Sequence, residues 1–115
     1  MAVVDTDLLV DHLRGFRRLD SARGLLAYSV VTRCELFAGT HGDERVVDLL
    51  HGMIEIPVDR AVAEAAGRIR RHHGTKIADA LIAATAMTIA LPLMTRNRRH
   101  FEGIKSLKLR SVDKP

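Results

Sequence analysis

Short β-branched runs alternate with helix-patterned segments along this chain, and no other feature limits the fold as strongly. Such alternation is the signature of a parallel sheet wrapped by helices. Val3-Val4 and residues 27–31, 53–58, 92–95 and 108–112 read as strands. Pro57 lacks the N–H that an interior strand must donate, which puts the third run at a sheet edge. Between the strands the spacing predicts helices over 7–14, 19–26, 32–38 and 43–51. A long helix follows, capped by Asp59 and closed by Gly74, and then one over 77–90. The last is apolar almost all round, which predicts burial between layers. The expectation is an α/β fold with a central, mostly parallel sheet of four or five strands and helices on both faces. At 115 residues, one domain over 1–115 is expected.

In such a sheet the C-terminal end of each strand and the N-terminal end of the next helix meet at one rim, where ligands bind. Four polar or acidic residues fall on that rim. Asp5 ends the first strand, Glu35 lies in the first turn after the second, Asp79 is near the start of the 77–90 helix, and Asn97 follows the fourth strand. Helix capping accounts for Asp5 alone equally well. Thr32-Arg33-Cys34-Glu35 matches a capping box, the better account of Glu35 alone. Asp79 resists such an explanation. It is the only charged residue between Lys76 and Arg96, on a helix whose composition calls for burial. The helix dipole returns little against the desolvation of a carboxylate. Together, carboxylates converging on one rim repel one another unless a divalent cation relieves them. Hard oxygen donors without paired cysteines favour Mg²⁺ or Mn²⁺ over zinc.

Composition removes other classes. Three Phe, one Tyr and no Trp provide no platform for stacking a single strand. Cys34 is the only cysteine, so neither a disulfide framework nor a cysteine zinc site can form. Residues 80–95, the least charged stretch, are too few to span a bilayer. The N-terminus lacks the pattern of a signal peptide, so a cytoplasmic protein away from membranes is expected. Lys and Arg outnumber Asp and Glu by 18 to 14, a balance compatible with a polyanionic partner.

Four stretches then carry a family resemblance: Val4-Asp5-Thr6 with Leu8-Leu9-Val10; Ser29-Val30-Val31-Thr32 leading to Glu35-Leu36-Phe37-Ala38-Gly39; Ile77-Ala78-Asp79-Ala80-Leu81-Ile82-Ala83-Ala84-Thr85-Ala86; and Leu91 to Asn97 with His100-Phe101. In this order, over nearly the whole chain, they resemble the PIN-domain ribonuclease toxins of the VapC family, from type II toxin–antitoxin pairs. The resemblance implies a PIN-like fold and Mg²⁺- or Mn²⁺-dependent endoribonuclease activity. It places the family's acidic positions on Asp5, Glu35 and Asp79, as metal-holding and catalytic residues. Asn97 stands where the fourth position is often Asp, which lowers the site's charge by one, and Asp7 lies close enough to Asp5 to assist. The resemblance further implies a VapB-like antitoxin that blocks the acidic site, an RNA substrate and a homodimer.

Two basic runs complete the reading. Arg68, Arg70, Arg71, His72 and His73 suit a solvated helix face. The run from Arg96 to His100 sits at the rim, making Arg96 and Arg99, together with Thr6, candidate RNA contacts. The six histidines read as surface residues, and the many leucines of the early helices as core. Two other classes compete. One is a catalytically weak domain that mainly binds RNA or antitoxin, suggested by Asn97. The other is a phospho-acceptor signalling domain using Asp59, which lacks the expected Lys after the fourth strand, where Arg96 stands.

Overall fold

A computed structural model describes residues 1–19 and 25–112. The elements run β1 (Ala2–Val4), α1 (Thr6–Leu13), β2 (Leu26–Ser29), α2 (Val30–Ala38), α3 (Asp43–His51), β3 (Ile54–Ile56), α4 (Arg60–His73), α5 (Ile77–Thr88), β4 (Leu93–Met94), a 3-10 turn (Arg98–His100) and β5 (Leu109–Arg110). All four strand pairings are parallel, in the order β3-β2-β1-β4-β5. Each pairing uses only two or three residues in register, such as Val3 opposite Ala27 and Leu93. A sheet this short depends on what covers it.

The two-residue period of a strand sorts its side chains between two cores. Ala2, Val4, Leu26, Tyr28 and Met94 face one way, against Leu8, Leu9, Leu36, Val46 and Leu50 of α1, α2 and α3. Val3, Ala27 and Leu93 face the other, against Val62, Ala66, Ile69, Ile82 and Ala83 of α4 and α5, with Phe101. Full burial of each large aliphatic side chain contributes roughly 1.5–3 kcal/mol. The expected two-faced α/β architecture is thus the one observed. β3 is the edge strand that Pro57 demanded. α4 has the predicted ends: the Asp59 carboxylate accepts the Val62 N–H at 2.9 Å, and Gly74 turns the chain at φ 66°, a left-handed value that favours glycine. Asp59, which a phosphorylation reading would need as acceptor, is committed to that cap.

Two expectations change, and a third holds. The helix over 19–26 rests on residues 20–24, outside the described residues, and Leu26 opens β2 instead. α2 begins at Val30, because the Ser29 hydroxyl accepts the Val31 N–H at 3.1 Å and caps it. The Thr32–Glu35 capping box is therefore not formed, and Glu35 is released for another partner. α5 is enclosed between α4 and the sheet, as its nearly all-round apolar surface predicted, with residues 82–86 buried in unbroken succession. Its small residues Ala80, Ala83, Ala84 and Ala86 are buried, while Ile77 and Ile89 at its ends are exposed. The leucines follow the core reading apart from Leu25, which is exposed.

Candidate active site

The chain winds from β1 through β2 to β3 on one side, then crosses to β4 and β5 on the other. That reversal opens a crevice at the C-terminal ends of β1 and β4, the position where open α/β sheets bind ligands. Asp5 leaves β1 directly into it. Its backbone N–H donates to Met94 O at 2.9 Å, which ties the loop to β4. Its Oδ1 accepts the Thr6 N–H at 2.8 Å, so Asp5 does cap α1. Its Oδ2 accepts from the Thr95 hydroxyl, also at 2.8 Å. Capping and function were competing accounts of this residue, yet the cap occupies only one oxygen.

Asp5 is 5% exposed. Burial, then the neighbouring charge of Asp7, push its carboxyl up to about 7. The hydrogen bond from Thr95 opposes this, and Asp79 adds further repulsion. A carboxylate that shares a crevice with two others and has no adjacent cation resists ionisation in this way. Burial raises Asp7 as well, with Arg96 pulling it back.

Asp7 is the member that sequence reasoning underrated. Its Oδ2 accepts from Asn97 Nδ2 at 2.8 Å and from the Thr95 hydroxyl at 3.3 Å, with Arg96 Nε at 3.7 Å. Its Oδ1 is enclosed and has no hydrogen-bond partner. Asn97, expected as a fourth site residue, reaches the crevice by holding Asp7. Arg96, expected at RNA, turns inward: its Nη1 donates to Asp11 Oδ1 at 2.6 Å. Asp11 is buried on α1, and Arg17 approaches its other oxygen at 4.0 Å. The sequence reading took Asp7 only as an aid to Asp5 and did not single out Asp11.

Glu35 and Asp79 join from opposite sides. Glu35 is exposed on α2, and its Oε1 accepts the Thr6 hydroxyl at 2.6 Å, while Thr6 also meets the Thr32 hydroxyl at 2.9 Å. Thr6 therefore links α1 to α2 and ties Glu35 to the Asp5 loop. Asp79 is half-buried, not buried as its helix suggested, and its Oδ2 lies 3.7 Å from His100 Nδ1. His100 is exposed, as read from the sequence, and also faces Asp79. With His73, Thr75 and Lys76, these two residues line a cavity of about 220 Å³ beside the crevice. His12 departs from a simple surface role, since its Nδ1 accepts the Leu19 N–H at 3.2 Å. Arg99 is exposed in the 3-10 turn that follows Asn97.

The donor set is all oxygen, as a hard divalent ion prefers. An elevated Asp5 and the orphaned Asp7 oxygen are both what such an ion would correct. Among the described residues, however, no three His, Cys, Asp or Glu side chains form a ready-made cage.

Known proteins share this fold. The PIN domain family model matches residues 2–106. Ribonuclease VapC10 of Mycobacterium tuberculosis is 41% identical over 121 residues, which cover 94% of this chain and 91% of that protein. Ribonuclease VapC1 of Methanocaldococcus jannaschii is 34% identical over 120 residues, covering 97% and 87%. A chain of a toxin–antitoxin complex from Klebsiella pneumoniae superposes with a TM-score of 0.79 at 31% identity, covering 93% of this chain and 95% of its own.

Proposed function

The chain belongs to the PIN-domain family, and from that premise we propose that it is the endoribonuclease toxin of a VapBC-type toxin–antitoxin pair. It hydrolyses RNA phosphodiester bonds at the β1/β4 crevice. The observation that carries this reading is the crevice itself: Asp5, Asp7 and Asp79 interact electrostatically there, and Thr6 ties Glu35 to the same loop. PIN-domain ribonucleases are in general divalent-metal dependent. For this chain the ion is Mg²⁺, with Mn²⁺ as a substitute, held by Asp5, Asp79 and Glu35 directly or through water. Such an ion supplies charge against the phosphate and lowers the pKa of water.

The protein's own residues prepare the site. Thr6 N–H and the Thr95 hydroxyl fix both oxygens of Asp5, so its orientation is set before substrate arrives. Thr6 also orients Glu35, the exposed carboxylate placed to accept the proton of an attacking water. Among the described residues, no Ser or Cys with an adjacent His forms part of the crevice, so direct hydrolysis is favoured over a covalent intermediate. Exposed Arg99 is the cation available to the RNA backbone.

A VapB-like antitoxin is the partner, and homodimer formation belongs to the same reading. Phe16, Leu25, Phe37 and Val47 are exposed apolar side chains suited to such contacts. No helix among the described residues is long and apolar enough to cross a membrane.

The test uses the purified chain freed of antitoxin and a structured RNA. Cleavage should require Mg²⁺ or Mn²⁺, stop in EDTA, and be lost in Asp5→Ala and Asp79→Ala. Cleavage that survives EDTA and both substitutions overturns the metal-dependent reading.

A further inference from the structure

The reading above leaves the site one charge short, because Asn97 stands where a fourth carboxylate is often found. We propose that Asp7 supplies that carboxylate, binding the divalent ion through Oδ1, and that Asn97 serves to aim it. This rests on the metal-dependent reading of the crevice.

The two oxygens of Asp7 are used unequally. Both side-chain hydrogen bonds reach Oδ2: Asn97 Nδ2 at 2.8 Å and the Thr95 hydroxyl at 3.3 Å. Arg96 also lies nearest that oxygen, at 3.7 Å, with its closer contact spent on Asp11 at 2.6 Å. Oδ1 is shut off from solvent and accepts nothing. A buried anionic oxygen without a donor is costly, and native structures rarely leave one unpaired without a purpose. A cation at Oδ1 would remove that cost. The asymmetry is also what a ligand needs, since partners on one oxygen fix the carboxylate and keep the other for the ion.

The amide of Asn97 fits this division of labour. A carboxylate at position 97 could not donate to Asp7 and would repel it. The neutral amide donates instead, so the side chain that lacks the charge positions the one that carries it. Thr95 bridges the two acids, donating within reach of both Asp5 Oδ2 and Asp7 Oδ2. One hydroxyl thereby sets the spacing between the expected ligand and the added one.

The experiment is Mn²⁺ titration by calorimetry on wild type, Asp5→Asn, Asp7→Asn, Asn97→Asp and the double exchange Asp7→Asn/Asn97→Asp, with melting temperatures in EDTA for each. Asp7→Asn should weaken Mn²⁺ binding by about tenfold or more. It should melt no lower than wild type in EDTA, because it removes a repulsive charge. The double exchange should regain part of the lost affinity by returning the charge to the same pair. Asp7→Asn binding within about twofold of wild type, while Asp5→Asn loses the ion, overturns this proposal and leaves the metal reading standing. Lost affinity with a lower melting temperature in EDTA also overturns it, since Asp7 would then be a brace. A wild-type chain that binds no Mn²⁺ sinks the metal reading itself, and this proposal with it.

Discussion

Asp5 and Glu55 each accept two short hydrogen bonds, yet their surroundings push them in opposite directions. At the β2/β3 edge, Glu55 Oε1 takes Arg33 Nε at 2.6 Å and the Tyr28 hydroxyl at 2.9 Å. Chiefly through Arg33, its carboxyl is held below the usual range. At the β1/β4 rim, Asp5 takes a backbone N–H and the Thr95 hydroxyl, both at 2.8 Å, and is driven up to about 7. Burial and like charge separate the two cases; the number of hydrogen bonds does not. The edge cluster contains its own cation and is complete. At the rim the nearest cation, Arg96, pairs with Asp11 and approaches Asp7, while Asp5 has like charges for neighbours, the setting in which a bound cation would bring relief.

The contrast breaks most readily on activity. Asp5→Ala and Asp79→Ala should lower single-turnover RNA cleavage by about 100-fold or more, whereas Glu55→Gln should leave it within about twofold. Equal losses at the two clusters would erase the distinction.

The pH dependence should differ in sign as well. Folding raises Asp5 from an ordinary 3.8 to about 7, so the folded chain holds a proton that the unfolded chain releases. Without metal, this group should cost stability progressively as pH climbs from about 4 to 7, by ~1.4 kcal/mol per pH unit at most. Urea denaturation in EDTA at pH 5, 6, 7 and 8 should show the decline, and Asp5→Asn should flatten it. Glu55 should behave in the opposite way. Its lowered value gives stability that is full above about 4.5 and fades as pH falls further. The contribution is small because the pair is well exposed.

Arg96→Ala sharpens the comparison from within the rim. It removes the 2.6 Å partner of buried Asp11 and the cation nearest Asp7. Breaking a buried pair usually costs about 3–5 kcal/mol. Because Arg96 is half exposed and Arg17 remains near Asp11, a loss of about 2 kcal/mol is expected on chemical denaturation. The smallest effect should come from Arg33→Ala at the edge cluster, less than about 1 kcal/mol by the same measurement.

Local signals proved legible where one residue type does one job. Asp59 and Gly74 marked both ends of α4, and Pro57 marked the edge strand. The α2 boundary was misread because two capping solutions lay three residues apart, and Ser29 outcompeted Thr32. The rim position of Asp5, Glu35, Asp79 and Asn97 followed from strand–helix alternation and the family resemblance. Their individual partners did not. Arg96 was read as an RNA contact on charge and location; its pairing with Asp11, brought by α1, was not legible. His100 read as one more surface histidine, and that the 3-10 turn also carries it to Asp79 was not legible either.

The sequence by itself determined the alternation of elements, the parallel sheet and the rim to which the acids are delivered. These depend on side-chain period and on backbone constraints that act over a few residues. The tertiary structure alone decided which carboxylates are buried and which of their oxygens are satisfied. Thr95 reaches Asp5, and Asn97 reaches Asp7, each across 90 positions of sequence. Desolvation and Coulomb repulsion depend on distances in space, and only the pairing of β1 with β4 sets those distances.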